Sequence, residues 1–138
     1  MADAGYSGTP LVKKLGIKPG IKGGMTVALV GAPDGFEKSL RGIPSDVQLV
    51  RGGSRAADLI LWWPASAKDL AARAAAIERR IKSGGGLWGA WAKKASGITT
   101  DLTENTFRDV LLPIGLVDYK VCAISDIWSG LKFARRKA

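Results

Sequence analysis

Leu87–Trp88–Gly89–Ala90–Trp91–Ala92 runs directly into Lys93–Lys94–Ala95–Ser96–Gly97, and a helix is predicted to open shortly beyond, at Asp101. An unbroken apolar run bounded by turn residues suits a strand buried on both faces, as in a parallel sheet. Strand, loop and helix form the repeating unit of an open α/β sheet, whose ligands bind outside the carboxyl ends of the strands. The loop here is basic and contains glycine. Lys93 and Lys94 bring charge, Ser96 and Gly97 offer donors and close backbone approach, and helix amino termini attract anions. Asp101 and Glu104 are expected to cap the helix, and such caps compete with a bound anion.

Upstream, the same alternation recurs. Ser66 and Asp69 mark a helix start with capping-box spacing. Leu70, Ala74, Ile77 and Ile81 form its apolar stripe, and Gly84–Gly85–Gly86 is expected to end it. Leu59–Trp63, Val47–Val50 and Met25–Val30 read as further strands, with Pro64 closing the first of these and a short helix predicted from Phe36 to Leu40. Residues 1–24 read as an arm with one short helix, capped by Thr9, begun by Pro10 and ended by Gly16. Pro19, Gly20, Gly23 and Gly24 then make a turn-rich connector.

Downstream, Phe107, Val110, Leu111 and Ile114 form a second helical stripe that Pro113 and Gly115 should end. Val117, Tyr119, Val121 and Ala123 then alternate with polar residues, as do Leu131 and Phe133 beyond a turn at Ser125–Ser129, which predicts an antiparallel hairpin. One α/β domain over 25–134 and a basic tail over 135–138 complete the organisation. This order of elements predicts a three-layer, Rossmann-like open sheet of about six strands, mostly parallel and ending in an antiparallel hairpin. It resembles an abridged class I methyltransferase, and the resemblance implies the strand order 2-1-3-4-6-5 with the last strand antiparallel. Arg51–Asp58 is short for the crossover this arrangement needs.

Composition narrows the chemistry. The 138 residues include no histidine and a single cysteine, Cys122. Histidine bases, serine–histidine triads, an intramolecular disulfide and multi-cysteine zinc sites are therefore excluded. No metal site or cofactor is identified. The net charge of +9 favours anionic partners, either small molecules or nucleic acid. The first residues lack the basic-then-apolar pattern of a signal peptide, and no apolar run is long enough to span a bilayer, so a cytoplasmic location is expected.

Gly31–Ala32–Pro33–Asp34–Gly35 follows the first strand, where nucleotide folds place a phosphate loop, which makes Gly31, Asp34 and Gly35 candidate ligand contacts. It matches neither the dinucleotide fingerprint nor the P-loop. Arg51 stands at the end of the second strand, where such sites place an acid for the ribose hydroxyls, so ordinary NAD or S-adenosylmethionine binding is not expected. Trp62 and Trp63 should point to opposite faces, as should Trp88 and Trp91, with Trp63 a candidate for stacking a ligand. Cys122 reads as an inert thiol.

Tyr6–Leu11 with Lys13–Gly16, Val30–Pro33, Leu87–Trp88, Lys93–Gly97, Asp101–Glu104, Gly115–Asp118, Lys120–Cys122 and Trp128–Leu131 together resemble a bacterial family of small proteins, domain-of-unknown-function family three-zero-five-two. The resemblance spans about Tyr6 to Phe133 and implies a small, Rossmann-like bacterial protein with no catalytic residues to carry over. The expected function is a non-enzymatic binding or regulatory domain that recognises an anionic small molecule or a protein partner. The alternatives are a reduced methyltransferase-like enzyme and a nucleic-acid-binding protein that uses its basic patches. Ligand contacts are expected from Gly31, Asp34, Gly35, Trp63, Lys93, Lys94, Ser96 and Gly97.

Overall fold

A computed structural model describes residues 10–19 and 24–137. Six strands form one sheet: β1 (Thr26–Val30), β2 (Gln48–Arg51), β3 (Ala57–Trp62), β4 (Ile81–Ala92), β5 (Leu116–Ala123) and β6 (Trp128–Arg135). Their order is β2-β1-β3-β4-β6-β5. β2, β1, β3 and β4 run parallel, and β6 is antiparallel to both β4 and β5. This is the order and direction that the methyltransferase resemblance implies.

Two apolar layers sandwich the sheet. On one face α2 (Ala67–Arg79) and α3 (Glu104–Leu111) bury Leu70, Ala74, Ile77, Phe107 and Leu111 against Ala28, Ile60, Trp62 and Leu87. On the other, α1 (Leu11–Leu15) and the first loop bury Val12, Leu15 and Phe36 against Val27, Leu29, Leu61 and Trp88. The tryptophan pairs diverge as strand alternation requires: Trp62 and Trp91 pack with the α2 layer, Trp63 and Trp88 with the α1 layer. All five residues of β1 are buried, whereas β2, at the sheet edge, is only half-buried. α1 ends at Gly16 in the left-handed conformation (φ 87°). Its predicted cap, Thr9, lies outside the described residues, as do Gly20 and Gly23 of the connector.

Several boundaries differ from the expectation. Gly84–Gly85–Gly86 does not end α2; the helix stops at Arg79, and the glycines belong to β4. Ala57 pairs with Ile81 but Leu59 pairs with Gly86, so three extra residues bulge out of β4 there. A Cβ on Gly85 would lie 2.5 Å from the Asp58 carbonyl oxygen, so the close approach requires glycine. α3 opens at Glu104 with Thr103 as its cap: Thr103 Oγ1 accepts from Thr106 N–H at 3.2 Å, and Thr106 Oγ1 accepts from Thr103 N–H at 3.1 Å. Ile114, expected in the buried stripe, is 39% exposed in the 3-10 turn that Pro113 introduces. In β5 a register shift between Asp118 and Lys120 changes which face each residue takes. Tyr119 and Val121 therefore face solvent, while Leu116 is buried and Cys122 packs against the α1 layer.

The short connection also has its explanation. Five residues, Gly52–Ala56, join β2 to β3 without a helix. Gly52 and Gly53 both take positive φ, 63° and 71°, which turns the chain sharply off the end of β2. Arg80 fastens it from α2, donating through Nε to Arg55 O (2.8 Å) and through Nη2 to Gly52 O (3.2 Å). Arg135, grouped with the basic tail above, is the last residue of β6 and pairs with Glu78.

Candidate functional site

Parallel strands deliver their loops to one edge, and the Gly31–Gly35 loop and Trp63 meet there. Trp63 N–H donates to Val30 O at 2.8 Å, and a Cβ on Gly31 (φ 72°) would lie 2.4 Å from Trp63 O. Only glycine admits both the backbone conformation and that approach. A Cβ on Gly35 (φ 75°) would meet no atom within 4 Å, so the far side of the loop is open. Phe36 begins a 3-10 turn (Phe36–Ser39) and packs edge-on to Trp63, with ring centroids 4.7 Å apart. Trp63 is 6% exposed, and among the described residues its buried Nε1–H has no hydrogen-bond partner. Leaving such a donor unpaired costs about 1–3 kcal/mol.

Arg51 closes this corner. Its Nε and Nη2 hold the two carboxylate oxygens of Glu37 at 2.7 and 3.2 Å. Nη1 donates to Ala32 O at 3.0 Å and Nη2 to Pro33 O at 2.7 Å. The hydrogen bond from Arg51 pulls the Glu37 carboxyl below its ordinary value, and the same bond, reinforced by the charges of Glu37 and Asp34, raises the Arg51 guanidinium. The sequence singles out Arg51 for the acid it replaces but does not name Glu37 as its partner. An acid two residues beyond the second glycine was the one available signal.

Lys93–Gly97 forms a second cluster at the same edge. Trp62 is level with Gly89, so β4 continues three residues past β3 to Ala92, roughly 10 Å further out at about 3.3 Å per residue. Lys93 N–H donates to Ile127 O in the β5–β6 turn (2.8 Å), and Lys94–Ser96 makes a 3-10 turn. The Ser96 hydroxyl donates to Lys93 O at 2.6 Å and accepts from Ile98 N–H at 3.1 Å, while Gly97 takes φ 80°. Asp101 caps α2 instead of α3: its Oδ1 accepts from Ala67 N–H at 2.9 Å. Asp69 accepts from Ala65 N–H and Ser66 Oγ from Asp69 N–H, so the amino end of α2 is occupied by the chain's own acceptors. Gly31, Asp34, Gly35 and Trp63 thus share one corner with Arg51 and Glu37, and Lys93, Lys94, Ser96 and Gly97 form the turn after β4 that is tied to the β5–β6 turn.

Cys122 is half-buried, and burial raises its thiol above the ordinary value despite the positive charges of Lys14, Lys120, Lys132 and Lys93. Among the described residues no group of three or more Cys, Asp or Glu is placed to hold a metal ion, and no helix is long and apolar enough to cross a membrane.

No model of a known protein family matches the chain, and no curated protein does. Solved structures share its fold. A ribosomal protein L11 methylase from Lactobacillus delbrueckii subsp. bulgaricus superposes with a TM-score of 0.58 at 17% identity, over 92% of this chain and 76% of that one. The N-methyltransferase NodS from Bradyrhizobium japonicum gives 0.56 at 10% identity, over 84% and 89%. A TehB-like SAM-dependent methyltransferase from Corynebacterium glutamicum gives 0.54 at 12%, over 96% and 90%. The chain therefore has the Rossmann-like fold of these methyltransferases. They overturn the expectation of a non-enzymatic binding or regulatory domain, and with it the reading against an enzyme: the solved structures of this fold include methyltransferases bound to S-adenosylmethionine or S-adenosyl-L-homocysteine.

Proposed function

We propose that this chain is a reduced methyltransferase-like enzyme that binds its small-molecule ligand at the carboxyl edge of β1 and β3. The observation that carries the reading is the sheet: order 2-1-3-4-6-5, with the antiparallel strand inserted beside β4. Open sheets of this kind bind ligands outside the carboxyl ends of their strands. Lack of histidine is no obstacle, because transfer of an activated group is accelerated by proximity and orientation alone.

S-adenosylmethionine does not fit the corner in the usual pose with ribose on an acid. Arg51 stands in the acid's place and its guanidinium already engages Glu37 and two loop carbonyls. The site we propose therefore lies beside the Arg51–Glu37 pair, which crowds it, with Gly31, Asp34 and Gly35 as backbone contacts and the Trp63 Nε1–H, without a partner among the described residues, as a buried donor. Lys93, Lys94, Ser96 and Gly97 form the rim on the acceptor side, which favours an anionic substrate, a small molecule before nucleic acid. A cytoplasmic location and membership of the small bacterial family resembled above belong to the same reading.

Calorimetric titration with S-adenosylmethionine and S-adenosyl-L-homocysteine tests it. Arg51→Ala frees Glu37 and both loop carbonyls, and is expected to bind either ligand at least about tenfold more tightly than the wild type, a gain of about 1.4 kcal/mol. No heat at millimolar ligand from either protein, with Arg51→Ala shown to be folded, ends the methyltransferase-like reading.

A further inference from the structure

A cavity of about 350 Å³ lies between α2 and the Gly52–Ala56 connection, lined by Gly53, Ser54, Arg73, Ile77, Arg79 and Arg80 among others. It has a clear origin. Parallel strands are ordinarily joined by a crossover of a dozen or more residues, usually with a helix. Here five residues make the journey, and the cavity opens between that short connection and α2.

Three guanidinium groups border the cavity, and no carboxylate lines it. Among the described residues no ion pair reaches Arg73, Arg79 or Arg80. Arg80 is only 7% exposed. Its bonds to Arg55 O and Gly52 O satisfy donors but supply no counter-charge. Desolvation, and after it the charge of Arg73, pulls the Arg80 guanidinium below its ordinary value. The carboxyl end of α2 brings roughly half a negative charge to this region. Three cations outweigh it, so the lining stays net positive. Buried charges without a counter-ion are rare, because desolvation disfavours them strongly.

We propose that this cavity binds a phosphorylated small molecule through Arg73, Arg79, Ser54 and the buried charge of Arg80. The planar fork of arginine matches phosphoryl oxygens in pairs, and the volume falls at the lower end of the range for small-molecule pockets. Neither the Gly31–Gly35 loop nor Glu37, Arg51 or Trp63 lines the cavity, so the proposal is independent of the enzyme reading above. A nucleic-acid backbone carries the same phosphoryl chemistry, and the experiment separates the two.

Inorganic pyrophosphate is titrated into the full chain, followed by calorimetry and by the amide resonances of Gly53 and Ser54. Saturable binding that shifts both amides is expected. Arg73→Glu combined with Arg79→Glu should weaken it by at least about tenfold, with the ligand-free melting temperature nearly unchanged because both side chains are exposed. Arg80→Lys, which keeps the charge but loses the fork, should weaken it less than that double variant. Absence of saturable binding at millimolar pyrophosphate overturns the proposal, as does binding that survives Arg73→Glu with Arg79→Glu. Single-stranded RNA that displaces pyrophosphate from the wild type and binds at least about tenfold more tightly overturns it too, since the arginines would then serve an extended backbone.

Discussion

Arg51 shows how one side chain redirects a site that the backbone has already built. The strand order places its Cα where this fold expects an acid, and the guanidinium uses four acceptors to lock the first loop to β2. Glu37 answers it. Since the hydrogen bond from Arg51 lowers the Glu37 carboxyl, the stabilisation is present above the ordinary carboxylate value and is lost as pH falls through the lowered one. Both side chains are well exposed, so the effect on melting should be small. The carboxyl carbon resonance of Glu37 is the better readout: its midpoint should lie below the ordinary value in the wild type and move up towards it in Arg51→Gln. A midpoint that is the same in both proteins would show that the pair does not form in solution. Arg51 was readable from its position after an apolar run; Glu37 was not, because pairing across fourteen residues leaves no periodic trace.

Strands and helices were readable wherever apolar spacing alone decides them, as in β1, β3 and the Leu70–Ala74–Ile77 stripe of α2. Boundaries failed where tertiary contacts overrule a local signal. Three consecutive glycines signal a helix end, but β4 uses them to bulge past Asp58 and Ile81. Asp101 has the look of a cap for the helix that follows it, yet its carboxylate is spent on Ala67 of the helix before. Gly89 belongs with these cases: it looks like a weak point in a strand, and the structure gives it a purpose. A Cβ there would lie 2.5 Å from the Phe107 ring, so its absence lets α3 seat on β4, with the Phe107 ring also tilted at 40° against Trp91, centroids 5.5 Å apart. Gly89→Ala should therefore cost about 1–3 kcal/mol through overpacking, read as a lower urea midpoint. Stability equal to the wild type would mean that the helix and strand part without penalty.

The sheet order followed from the succession of elements, whereas the cavity beside α2 did not, because it depends on how the short Gly52–Ala56 connection sits against the helix. The opposite layer shows how a short element is held. α1 has only five residues, too few to persist alone, so the sheet must hold it. Trp88, fully buried in β4, donates its Nε1–H to Leu15 O at 2.9 Å, and Lys120 in β5 donates to Lys14 O at 3.1 Å. Lys132 in β6 adds its ammonium near the Trp88 ring, 5.7 Å from the centroid. Three strands thus anchor the carboxyl end of one short helix, where cations also suit the dipole. Trp88→Phe keeps most of the buried ring and removes the indole donor. It should cost about 1–3 kcal/mol, because Leu15 O then loses its best partner in a buried setting. Hydrogen exchange should accelerate first at the Gly16 and Ile17 amides, which bond back to Lys13 O and Val12 O, while β1 and β3 remain protected as the centre of the sheet. Uniform acceleration across all strands would mean that α1 unfolds only with the rest of the protein.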